Sequence, residues 1–257
     1  MTVPHDWAIY GPFSSLNDKQ EVAISQDGQK EAMEHAGRTG GLPFVGVGWD
    51  RTEFDVPQFQ AGKRATILFD GAMSHANVYI NGQKVGYWPY GYNSFHFDIT
   101  KYLKPGEKNT LAVRLENLPE SSRWYPGAGL YRNVHLIITE DAYIPVWGTY
   151  ITTPSVNEKF AKVNVRTKVV LPEGADPAKY SVETSVWNPN KQKLTAVRTS
   201  LAQMKYNNNQ AEQEFVIQAP SLWSPEMPAL YSAETRLYEG DKLKDIYCLL
   251  YTSPSPR

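Results

Sequence analysis

Residues 121–132, SSRWYPGAGLYR, set Arg123, Trp124 and Tyr125 side by side between two stretches of alternating apolar residues. Amphipathic rings on a loop suit a ligand that is half apolar and half hydroxylated, and a sugar ring is such a ligand. A second loop, YWPYGYNSFHFD at 87–98, offers Tyr90, Tyr92 and Asn93, which combine ring faces for C–H stacking with an amide and hydroxyls for hydrogen bonds. A third stretch, PHDW at 4–7, places the Asp6 carboxylate after a Pro-His turn, where it would bond the backbone of a neighbouring loop while Trp7 packs an edge; His5 is a lesser candidate. Each has an architectural alternative: Trp124 packed under its own loop, Arg123 in an ion pair between domains, Ser94 and Phe95 closing a hairpin. His96 reads as a half-exposed structural histidine with no second histidine at metal-ligand spacing. Asp6, Asp50, Asp70, Asp98, Glu116 and Glu120 are acids at a turn, a cap or a solvated strand face, and none forms a catalytic pair by its local pattern.

The elements that position these loops are strands. ATILFDG puts Ala65, Ile67 and Phe69 on one face, and NVYINGQKVGYW points Val78 and Ile80 inward before reaching Asn81-Gly82, a strong hairpin signal. NTLAVRLEN buries Leu111, Val113 and Leu115 with Arg114 and Glu116 outward, and NVHLIITE repeats the pattern with Val134, Leu136 and Ile138. Gly127 and Gly129 allow a sharp loop, after which Tyr131 and Arg132 begin the next strand. Strands every ~10 residues without long helical periods predict an antiparallel jelly-roll sandwich. After a boundary near Ala142 to Val146, a second alternating series covers ~100 residues, the size of an immunoglobulin-like sandwich. Hairpin tips fall at 188–193 and 207–210, and Trp223 and Leu230 are expected in the second core. Residues 29–36 read either as a short helix ended by Gly37 or as an irregular surface excursion. The domains are thus 1–142, a jelly roll with an incomplete start; 143–247, the immunoglobulin-like sandwich; and 248–257, a non-native tail.

Composition narrows the partners. Lys and Arg number 26 against 27 Asp and Glu, a net charge of -1, which lacks the basic footprint that nucleic acid or an anionic membrane selects. Aromatics make up 12% of the chain, with 7 Trp and 16 Tyr, more than core filling requires. The single cysteine, Cys248, excludes an internal disulfide and a zinc site built from several thiolates. No apolar run is long enough to span a bilayer, and nothing after Met1 has the form of a signal peptide, although the chain reads as beginning inside a longer sequence. The compartment is therefore left open.

VPHDW, GWDRTEFDVP, the long stretch DGAMSHANVYINGQKVGYWPYGYNSFHFDITKYLKPGEKNTLAVRLEN, SRWYPGAGLYRNVHL and LWSPEMPALY occur in that order. Together they resemble the amino-terminal half of glycoside hydrolase family 2, the β-galactosidase, β-glucuronidase and β-mannosidase group, over about Val3 to Tyr247. The PHDW opening and the SRWY loop are most similar to the β-galactosidase branch. The resemblance implies a sugar-binding jelly roll, an immunoglobulin-like sandwich, and then a TIM barrel that carries both catalytic carboxyls. It implies that the parent hydrolyses terminal β-galactosides with retention and that this chain, without the barrel, is an inactive fragment with no catalytic residue, cofactor or metal. It also implies that Asp6, Tyr90, Tyr92, Asn93, Arg123, Trp124 and Tyr125 approach the active site. The implied partners are carbohydrate, the missing barrel and, in the full protein, a second copy. CLLYTSPSPR at the end resembles translated sequencing adapter. Two other classes remain in view: a free-standing carbohydrate-binding or adhesion module marked by a polar-rimmed aromatic groove, and a structural protein that docks through its loops.

Overall fold

In the computed structural model the described residues are 2–14, 16–22, 33–36, 41–59, 62–119, 121–122, 124–203 and 210–251. They form two compact units, Met1–Ile138 with one buried cluster and Thr139–Arg257 with two. The first holds β1 (Lys19–Val22), β2 (Met33–Ala36), β3 (Gly46–Asp55), β4 (Arg64–Phe69), β5 (Ala76–Ile80), β6 (Gln83–Trp88), β7 (Phe95–Asp98), β8 (Lys108–Asn117) and β9 (Val134–Thr139). One sheet runs β3-β8-β5-β6, antiparallel throughout, and the other runs β7-β4-β9. The inward series from both sheets, Ala65, Ile67 and Phe69 with Val78, Ile80, Leu111, Val113 and Leu115, fills the space between them. Phe69 of β4 and Trp88 of β6 in the opposite sheet both stack on Phe95, with ring centroids 4.8 and 5.6 Å away. The Asn81-Gly82 hairpin forms as the sequence predicts, both residues at positive φ.

The second unit holds β10 (Thr149–Val156), β11 (Phe160–Lys168), β12 (Tyr180–Trp187), β13 (Lys193–Ser200), β14 (Gln210–Gln218), β15 (Tyr231–Glu239) and β16 (Lys242–Tyr251). The sheets β10-β11-β14 and β13-β12-β15-β16 are the three-plus-four arrangement of an immunoglobulin-like sandwich. The all-β class and both sandwich architectures therefore stand. Asn188 and Gln192 close the β12–β13 tip, while most of the 207–210 tip lies outside the described residues.

Three expectations need correction. Residues 33–36 are extended rather than helical, because β2 pairs in register with β1 from Lys19↔Ala36 to Val22↔Met33; the rest of that segment lies outside the described residues. Leu230 is exposed and Tyr231 is buried in its place, since β15 opens at Tyr231 and its alternation sends Tyr231, Ala233 and Leu237 inward. Tyr131 and Arg132 precede β9, which begins at Val134. At the far end backbone pairing continues past Cys248 to Tyr251, opposite Tyr231.

Candidate functional site: an aromatic cleft built from two loops

Loop 89–94, between β6 and β7, and loop 118–133, between β8 and β9, meet over the turn 73–75. Between them lies a cleft of about 520 Å³, lined by Ser74, His75, Tyr90, Tyr92, Glu116 and Trp124 among others. That volume is in the range of small-ligand sites. The Tyr90 and Tyr92 rings sit 5.6 Å apart, tilted by 60°. Trp124 Nε1 donates to Tyr92 Oη at 2.9 Å, which fixes the indole while leaving the residue 54% exposed. Trp124 is thus a wall of the cleft rather than packing beneath its loop.

The loops are held by backbone and buried polar contacts. Met73 and Gly129 exchange N–H···O bonds of 3.0 Å in both directions, and Ser74 and Glu116 exchange bonds of 3.2 and 2.8 Å. Tyr131 Oη donates to the Gly91 carbonyl at 2.9 Å, and burial pushes the phenol above its usual range, keeping that donor protonated. Gly91 lies against the Met73 side chain, where a Cβ would come within 2.1 Å of Sδ and oblige the methionine to move.

Asp6 and Tyr125 belong to the support of this loop. The segment carrying Asp6 runs beside residues 128–130, with His5 N–H on the Leu130 carbonyl at 2.8 Å and Trp7 N–H on the Ala128 carbonyl at 3.0 Å. Tyr125 Oη donates to the Asp6 carboxylate at 2.7 and 2.9 Å, and Ala8 N–H donates to it at 3.0 Å. His5 Nδ1 is 3.0 Å from Asp50 Oδ1, while Asp50 Oδ2 accepts from Leu130 N–H. Asp50 is only 2% exposed, and burial raises its carboxyl above the usual carboxylate range against the lowering effect of His5 and Leu130. Asn93 is exposed beside the cleft without lining it, and Arg123 lies outside the described residues.

Sequence reasoning passed over His75, set Glu116 aside as an acid without a catalytic partner and took Tyr131 for the start of a strand. Glu116 reads as an outward residue of an alternating strand; only the pairing of β8 with the 73–75 turn brings it to the cleft, where it also pairs with Arg114. Among the described lining residues Glu116 is the sole carboxylate, whereas retaining glycoside hydrolysis uses two. A second cavity, about 180 Å³ between the two sheets, is lined mainly by Val3, Phe54, Ile67, Leu130 and Leu136. Its one carboxylate, Asp50, is already engaged by His5 and Leu130, and Arg51 and Thr52 are the other polar residues of its lining. No group of three His, Cys, Asp or Glu side chains gathers at metal-ligand spacing among the described residues.

Two successive β-sandwiches, the first with a loop-built aromatic cleft, define a modular all-β protein. The chain belongs to glycosyl hydrolases family 2. Residues 43–140 match the family's sugar binding domain and residues 143–249 match a second domain of the same family. It is 37% identical over 248 residues to the β-galactosidase BoGH2A of Bacteroides ovatus, covering 96% of this chain and 27% of that protein. It is 34% identical over 247 residues to a putative beta-glucuronidase of Formosa agariphila, covering 95% and 21% respectively. The crystal structure of a family 2 member from Bacteroides cellulosilyticus superposes with a TM-score of 0.81 at 29% identity, over 98% of this chain and 31% of that one. The chain therefore spans about a quarter of the length of the curated relatives it matches.

Proposed function

We propose that this chain is the noncatalytic amino-terminal part of a retaining exo-glycosidase of family 2, and that the whole protein removes terminal β-galactosyl units. The observation that carries the reading is the convergence of Tyr90, Tyr92 and Trp124 on one cleft inside the sugar binding domain. In this reading the ring faces stack on the sugar or its aglycone, and Tyr92 and the Ser74–His75 turn supply polar contacts. Asp6, Tyr125, Asn93 and Arg123 shape the approach. Hydrolysis proceeds by double displacement on two carboxyls of a (β/α)8 barrel outside this chain.

The galactoside preference takes its support from the likeness to the β-galactosidase BoGH2A, since the one carboxylate among the described lining residues, Glu116, is paired with Arg114. The test is to express the whole protein and assay nitrophenyl β-galactoside, β-glucuronide and β-mannoside. Galactoside turnover with Trp124→Ala raising KM about tenfold supports the reading, and turnover of glucuronide alone overturns the specificity. The isolated chain is expected to hydrolyse none of them. The polar-rimmed aromatic cleft also favours a second reading, a carbohydrate-binding module that acts without hydrolysis; sugar binding by a whole protein with no turnover would establish it.

A further inference from the structure

The solvent face of the β3-β8-β5-β6 sheet carries features that its packing does not require. Trp49 on β3 is 56% exposed, and its ring lies 5.5 Å from that of Tyr79 on β5, tilted by 39°. The two residues come from strands on opposite sides of β8, and the small residue Ala112, opposite both Arg51 and Tyr79, leaves room for the rings to approach. A tryptophan and a tyrosine thus lie over one shallow surface instead of in the core.

Polar groups fringe these rings. Arg114 stands opposite Trp49 on one side and Asn77 on the other, and it pairs with Glu116. The Asn77 amide nitrogen donates to the His75 carbonyl at 3.1 Å, and its side-chain oxygen makes no bond among the described residues. Arg51 has no carboxylate partner among them. Tyr87 is exposed and in contact with His75, which also lines the cleft. Val47 is the one large aliphatic residue exposed on this face.

We propose that this sheet face is a second carbohydrate-binding surface, a platform that takes a chain of neutral sugars across Trp49 and Tyr79 and continues, past Glu116 and His75, into the aromatic cleft. The proposal takes its ligand class from the reading of the cleft and extends it from one terminal sugar to an oligosaccharide. Ring faces accept the C–H surfaces of successive sugars, while Arg51, Asn77 and the Arg114–Glu116 pair bond their hydroxyls. All these residues lie within the segment that matches the sugar binding domain.

The test is calorimetric titration of this chain with galactose and with β-1,4-galactotetraose. The tetrasaccharide is expected to bind at least tenfold more tightly than galactose. Trp49→Ala and Tyr79→Ala should each remove roughly tenfold of the tetrasaccharide affinity and leave galactose binding unchanged, with Trp49→Phe restoring most of the loss. Trp124→Ala reads the cleft separately by weakening galactose binding. Loss with Trp124→Ala but none with Trp49→Ala overturns the platform while the cleft stands; loss with Trp49→Ala alone keeps the platform and sinks the cleft reading. Absence of tetrasaccharide binding, or self-association abolished by Trp49→Ala in place of sugar binding, overturns the platform in favour of a protein contact.

Discussion

At the scale of single residues, the carboxylates of unit one divide by what surrounds them. Asp6 is engaged by Tyr125 and the Ala8 amide, so it secures the loop behind Trp124. Tyr125→Phe removes the phenol donor and should cost about 1–2 kcal/mol in chemical denaturation, with tryptophan fluorescence reporting any change around Trp124. Asp50 behaves differently. Its folded pKa lies above the unfolded value because burial penalises the carboxylate, so its contribution to stability is largest at low pH and is lost as pH rises through the folded pKa. Asp50→Asn should flatten that segment of the stability curve in denaturant titrations run from pH 4 upward. The sequence marked Asp6 as a loop-bonding acid and left Asp50 among residues of a strand face. Nothing local distinguishes them, because Asp50 depends on His5 and Leu130, which are remote in sequence.

At the scale of elements, close approach decides which turns and strands can form. Trp7 lies across Gly48 of β3, where a Cβ would come within 2.2 Å of the indole, and beside Gly129, where it would meet the His5 carbonyl at 2.7 Å. Gly129 also sits at φ +116° and exchanges hydrogen bonds with Met73. Gly129→Ala should therefore lower stability by at least ~1–3 kcal/mol and weaken sugar binding at the cleft, since it detaches the loop from the 73–75 turn; thermal melting with galactose titration checks both. In unit two, Lys244 on β16 joins Asp141 at 2.9 Å and Glu239 at 3.4 Å. The hydrogen bond from Lys244 holds Asp141 below the usual carboxylate range, and that to Asp141 holds Lys244 above its own. Asp141 then contributes stability above its unfolded pKa that is lost as pH falls through the folded value, the reverse of Asp50. Lys244→Met should destabilise at neutral pH and shrink the acid-side loss, as melting curves between pH 2 and 7 would show.

At the scale of the molecule, the described residues build one buried cluster in unit one and two in unit two. Leu237→Ala in unit two and Phe69→Ala in unit one should each cost ~2–5 kcal/mol, and scanning calorimetry should show which part of the unfolding profile each one shifts. The sequence by itself determined the strand faces, the Asn81-Gly82 turn, the two-sandwich architecture and the aromatic character of the two loops. Alternation and turn chemistry are local properties, readable wherever the inward series is unbroken. Only the tertiary structure decided that Trp124 meets Tyr92, that Tyr125 is used on Asp6, that Glu116 joins the cleft, and that Trp49 reaches Tyr79 over Ala112. Those contacts join residues far apart in the chain, and strand order and register, which follow from the packing of whole sheets, place them together.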